Sequence, residues 1–245
     1  MSGHSHWAGI KHKKGIADAK KGKIFSKFAR LITIAAKGKG GDLATNPNLR
    51  MAVEKARSFN MPKENIERAI KKGTGEIEGV ALEEFIYEGY GPGGTALMIE
   101  GVTDNKNRAI SEVKHILDSH GGKFAQEGSV KWMFERKGKL EINTEAQETS
   151  QKTQEEWELI GIDAGADDLS WNDNILNIYT KIENLENVKK SLEEKRVTVE
   201  STSSDWVAKT PIEITDQKTL NEIERLFDAL DENEDVQEIY SSLKE

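Results

Sequence analysis

The charge of this chain changes sign near residue 75. Residues 1–75 hold 17 Lys and Arg against 5 Asp and Glu, whereas residues 76–245 hold 18 against 38. A net charge of −8 thus conceals a segment at +12 joined to one at −20. A split of this size points to a nucleic-acid partner for the basic part. The acidic remainder repels phosphate, so contact is expected at one end only. The pattern is that of a binding module on a scaffold.

At 245 residues, with 36% hydrophobic and 32% charged side chains, the chain can bury a real core and allows one to three domains. The absence of cysteine excludes disulfides, a thiolate zinc site and a cysteine nucleophile. No apolar run approaches the ~18 residues of a membrane span. Met1-Ser2-Gly3-His4-Ser5-His6-Trp7 lacks the apolar core of a signal peptide. The expected location is the cytoplasm.

Residues 1–16 are rich in Gly, His and Lys without periodicity and read as an arm that orders on a partner. From Ala17 to Lys37 the apolar residues Ile24, Phe28, Leu31, Ile32 and Ala35 recur at helical spacing. Asn46 as N-cap and Pro47 at the first helical position begin a second helix running to Ser58. A third follows Pro62 and stops at Gly73. Beyond it, Glu83–Glu88, Thr95–Val102 and Val130–Phe134 read as strands, with a helix from a Thr103 or Asp104 cap to Ser119. After Gly138 the order is strand Lys139–Asn143, helix Thr153–Ala164, strands Asp168–Trp171 and Ile175–Tyr179, helix Leu185–Glu194 and strand Val197–Ser201. This βαββαβ order is ferredoxin-like. A helix over Gln217–Leu230 and a short strand near Val236–Tyr240 close the chain.

On a helical wheel Lys20, Lys23, Lys27, Arg30 and Lys37 fall within a stripe about 100° wide. The apolar stripe of the same helix lies roughly 130° away. One face packs, and the other presents positive charge every turn of ~5.4 Å, a spacing that can follow a phosphate backbone. Only Asp18 interleaves, so i,i+4 salt bridges do not account for the stripe. Lys11, Lys13 and Lys14 extend it into the arm, which also carries His4, His6 and His12. Trp7 either stacks on an unpaired base, a contact of ~1–3 kcal/mol, or docks back on the helices. The three histidines lack a nearby carboxylate or cysteine, so no metal site is expected. The helices flanking Phe59-Asn60-Met61 have helix-turn-helix spacing, with Lys63, Arg68, Lys71 and Lys72 outward on the second; Glu64 and Glu67 share that surface.

Gly89-x-Gly91-x-x-Gly94 matches the dinucleotide fingerprint in letters, but Pro92 and a following β-type run replace the helix it requires. Its small residues suit a tight turn that another backbone, or RNA, approaches closely. No Walker A loop or calcium loop is present. His115 and His120 have no evident nucleophile beside them, and no catalytic constellation emerges. The reading is of a non-enzyme without cofactor.

Several longer motifs resemble one family. Gly3-His4-Ser5-His6-Trp7-Ala8, Lys21-Gly22-Lys23-Ile24-Phe25, Asn60-Met61-Pro62-Lys63-Glu64-Asn65-Ile66, Tyr87-Glu88-Gly89-Tyr90-Gly91-Pro92-Gly93-Gly94 and Thr103-Asp104-Asn105-Lys106-Asn107-Arg108 are similar to those of the YebC/PmpR family. The resemblance covers nearly the whole chain. It implies an N-terminal helical domain, a middle α/β domain completed by the C-terminal tail, and an inserted α/β domain. Members carry the label of DNA-binding transcriptional regulators, and some resemble ribosome-associated translation factors that relieve stalls. No enzymatic activity attaches to the family. The sequence departs from the family pattern at Leu31, Leu43, Gly101 and Lys123-Phe124-Ala125 without removing a basic arm residue.

Together these readings predict an α+β protein: a basic helical domain over 1–78, a middle α/β domain over 79–137 with 206–245, and an inserted acidic, ferredoxin-like α/β domain over 138–205. The expected function is nucleic-acid binding in the regulation of gene expression, on DNA or alternatively on ribosomal RNA at the ribosome. Trp7, Lys11, His12, Lys13, Lys14, Lys20, Lys23, Lys27 and Arg30 are the expected contacts. Tyr90, Gly91, Pro92, Gly93, Asn105, Asn107 and Arg108 are secondary ones. No membrane partner is expected, and the oligomeric state is left open.

Overall fold

The computed structural model describes residues 18–147 and 152–244. Three helices come first: α1 (Asp18–Lys39), α2 (Pro47–Ser58) and α3 (Lys63–Thr74). Asn46 caps α2 as its sequence predicts, its Oδ1 accepting from the Leu49 N–H at 3.1 Å. Its amide also donates to the carbonyls of Ala35 and Gly40, which ties α2 to the end of α1. Ile24, Phe28, Ile32, Leu49, Val53, Ile66 and Ala69 fill the core between the helices. α1 and α3 meet where Gly73 faces Thr33; a Cβ at Gly73 would lie 2.3 Å from the Thr33 carbonyl oxygen.

The first sheet contains β1 (Glu83–Tyr90), β2 (Ala96–Thr103), β3 (Lys123–Ala125) and β8 (Val236–Ser241) in the order β3-β1-β2-β8. Helices α4 (Lys106–Ser119) and α7 (Gln217–Glu232) cover one face through Phe85, Leu97, Ile99, Val113, Leu117, Leu226 and Leu230. Met98, Tyr240, Val130 and Phe134 close the other, so β2 is buried on both sides. β3 was not expected from sequence. Val130–Phe134 is a 3₁₀ turn leading into a strand, rather than the strand predicted there.

The second sheet holds β4 (Phe134–Asn143), β5 (Asp168–Asn172), β6 (Ile175–Thr180) and β7 (Ser201–Ala208), antiparallel in the order β5-β6-β4-β7. With α5 (Gln154–Ala164) after β4 and α6 (Leu185–Glu194) after β6, this is the ferredoxin-like arrangement predicted from the βαββαβ order. β7 lies later than the predicted Val197–Ser201. Val197 instead packs in the core with Leu140, Ile142, Trp157, Leu176 and Ile178. The pairing Phe134↔Ala208 extends the sheet toward the first one, where Arg136 and Trp206 both donate to Glu100, at 2.5 and 2.8 Å.

Candidate nucleic-acid interface

α1 presents three faces to three neighbours. The apolar face packs on α2, and Phe28 meets Phe59 with ring centroids 5.1 Å apart. Part of the basic stripe turns toward the sheets, which takes Lys27 out of reach of the phosphate contact expected of it. Lys27 is 3% exposed; its ammonium donates to the Asp231 backbone carbonyl at 2.5 Å and lies 3.2 Å from the carboxylate. Burial lowers its pKa despite Asp231. Arg30 pairs with the buried Asp235 and donates to the Val102 carbonyl at 3.3 Å. Lys37 donates to the Leu82 carbonyl at 3.2 Å. Of the stripe, Lys23 is exposed, and Lys20 lies in the first turn of α1. Trp7, Lys11, His12, Lys13 and Lys14, with the histidines of the arm, lie outside the described residues.

The same clasp continues elsewhere. Lys55 on α2 pairs with Glu238 on β8, and burial opposes but does not overcome the carboxylate, so the lysine pKa is raised. Arg50 meets Glu186 at 2.9 Å, and Glu54 meets Lys189 at 3.5 Å, joining α2 to α6.

The secondary contacts divide between packed and exposed positions. Gly91 and Pro92 are buried, and a Cβ on Gly93 (φ 68°) would fall 2.7 Å from Ile214 and 2.9 Å from Thr219. The glycine loop therefore fits against the start of α7, the close approach expected of a tight turn. Tyr90 is half-buried, its hydroxyl 3.4 Å from the Ser129 carbonyl. Asn105 caps α4 by accepting from the Arg108 N–H at 3.1 Å, in place of the expected Thr103 or Asp104. Arg108 pairs with Asp104 at 2.7 Å and Asp235 at 2.8 Å, while Asn107 stays exposed.

Sequence reasoning did not single out the third face of α1. There a groove of about 480 Å³ opens between α1, α3 and residues 79–82. Phe25, Ser26 and Arg30 line it from α1, and Asn65, Arg68 and Lys72 from α3, with Val80 at its edge. Its signal was present in the i, i+3, i+7 spacing of Asn65, Arg68 and Lys72.

Fold and surface define a class: a basic three-helix module clasped to an acidic, two-sheet α+β body. Family models described as the TACO1/YebC protein N-terminal domain and the TACO1/YebC second and third domain match residues 5–76 and 82–243. The chain belongs to the TACO1/YebC family. A relative from Thermotoga maritima is 49% identical over 244 residues, covering 100% of this chain and 94% of its own. One from Halothermothrix orenii is 46% identical over 242 residues, covering 99% and 94%. Both are named "probable transcriptional regulatory protein", a regulatory and not an enzymatic name. The crystal structure of a conserved hypothetical protein from Aquifex aeolicus superposes with a TM-score of 0.87 at 43% identity, covering 98% of this chain and 97% of that one. No described helix is long and apolar enough to cross a membrane.

Proposed function

We propose that this protein regulates gene expression by binding nucleic acid through its basic helical module, with DNA as the target. One observation carries the reading. Lys23, Arg57, Arg68, Lys71 and Lys72 are exposed on the module and have no side-chain partner among the described residues. Cations held apart from carboxylates in this way are the footprint of a phosphate-binding surface. Under this proposal Lys11, Lys13, Lys14 and Lys20 make further phosphate contacts, Trp7 stacks on a base and His12 makes a contact. Lys27 and Arg30 act differently from the expectation: they orient α1 on the body. The regulatory names of the relatives support the transcriptional reading.

Ribosomal RNA is the alternative target of the same cations. The glycine loop would be a second contact for it through Gly93 and Gly94, which are exposed, whereas Gly91, against Leu226 of α7, and Pro92 are buried. The test is binding of a labelled duplex across a salt series. With roughly 4–6 phosphates neutralised, log affinity falls against log salt with a slope near −4 to −5, and a flat response overturns the reading. Ultraviolet crosslinking in cells then separates the targets: promoter DNA supports the proposal, and ribosomal RNA alone replaces it with the translational one.

A further inference from the structure

The groove between α1 and α3 combines three chemistries that the clasp does not use. Arg68 and Lys72 lie one helical turn apart along α3, both exposed and both without a side-chain partner among the described residues. Asn65, half-buried one turn earlier, has an amide with no hydrogen-bond partner among those residues. Across the groove stands the ring of Phe25, half-buried, and at the rim Val80 is 72% exposed. The volume of about 480 Å³ lies in the range of small-ligand sites, roughly 300–1,000 Å³.

Each group matches a part of one ligand. Paired cations take a phosphate, a planar ring takes a base face, and an amide both donates to and accepts from a base edge. A duplex turns its bases inward, so an aromatic ring beside two cations finds both partners only where a nucleotide is unpaired. We propose that this groove binds a single unpaired nucleotide, phosphate on Arg68 and Lys72 and base between Phe25 and Val80, with Asn65 on the base edge. This rests on the nucleic-acid reading above and makes it specific: the module prefers nucleic acid containing an unpaired position.

Full-length protein, titrated with a single-stranded oligonucleotide and with the matching duplex, tests this. The double variant Arg68→Ala/Lys72→Ala is compared with Arg57→Ala/Lys71→Ala, which removes equal charge outside the groove. The groove variant is expected to weaken single-strand binding at least about tenfold more than duplex binding, because the clamped phosphate is what holds the base against Phe25. The control variant lowers both together. A strand carrying 5-iodouracil should photocrosslink to the peptide containing Phe25, and Asn65→Ala should change the preference among bases. Equal loss in both double variants, with crosslinks elsewhere, overturns the groove assignment and leaves nucleic-acid binding standing. Absence of binding to either oligonucleotide overturns both.

Discussion

Asp235 is a buried carboxylate held from three elements. Arg30 of α1 and Arg108 of α4 pair with it, and the Thr103 hydroxyl donates at 2.8 Å. Burial alone would raise its pKa; the hydrogen bonds from Arg108, Thr103 and Arg30 outweigh that and hold it below the ordinary value. For a depressed carboxylate the stabilisation is present above the unfolded pKa of about 3.9 and is lost as pH falls through the folded value. Asp235→Asn is therefore expected to melt lower than wild type at neutral pH and to lose less further stability on acidification below about pH 4. Melting curves across pH check this, and parallel acid limbs would contradict it. Gly101 makes a second residue-scale prediction. A Cβ there would lie 2.1 Å from Phe85 and 2.3 Å from the Asp235 carbonyl oxygen, at the irregularity where β2 pairs with β8. Gly101→Ala should cost at least about 1–3 kcal/mol in denaturant unfolding, with Phe85→Leu recovering part of it. The packing role of neither residue was legible in sequence, since each depends on neighbours far along the chain, whereas the cap at Asn46 was, because its partner is three residues away.

Among the elements, the helices were read best because period and caps are local signals. The Leu185–Glu194 helix and the Pro47–Ser58 helix occupy the expected residues. The strands slipped where polarity hid them. β7 reads Ser-Thr-Ser-Ser-Asp and turns some of those polar groups inward, so Val197 and Val199 drew the expected strand too early. β4 runs through Gly138, which looked like a boundary; its Cα instead faces Leu185, and a Cβ would stand 2.9 Å away. The basic face of α1 misled for a related reason. Asp18 at its first turn is the one acid within the helix, and Asp231 and Asp235 arrive from residues some 200 positions later. Substitutions at Asp231, Lys27 and Lys23 separate clasp from phosphate contact. Asp231→Ala leaves Lys27 buried with the Asp231 backbone carbonyl and the charge of Glu238 and should destabilise the fold, whereas replacing both members, Lys27→Met with Asp231→Leu, should come closer to neutral. Lys27→Met should leave duplex affinity within about twofold of wild type, while Lys23→Met weakens it and lowers the salt slope by about one. Equal losses from both would return Lys27 to the interface.

The whole molecule joins a module at +12 to a body at −20 through a few closed ion pairs, which leaves most of the acid facing water. How far that acid acts depends on salt. α6 touches α2 through Arg50–Glu186 and Lys189–Glu54, and α5 packs on α6. Packed helices stand about 8–10 Å apart, so a path from the exposed Glu155 and Glu156 of α5 through α6 to α2 spans roughly two helix spacings. That exceeds the Debye length of about 8 Å at 0.15 M salt but not the length of about 30 Å at 0.01 M. In dilute salt the body should therefore slow the approach of nucleic acid and turn it toward the module. Glu155→Gln/Glu156→Gln is expected to raise the association rate with a DNA duplex at about 0.01 M salt and to leave it unchanged at about 0.15 M, with the dissociation rate constant in both. Stopped-flow binding at the two salts decides. A rate gain that survived at the higher salt would mean that the inserted sheet reaches the nucleic acid directly, and the interface would then extend beyond the basic module.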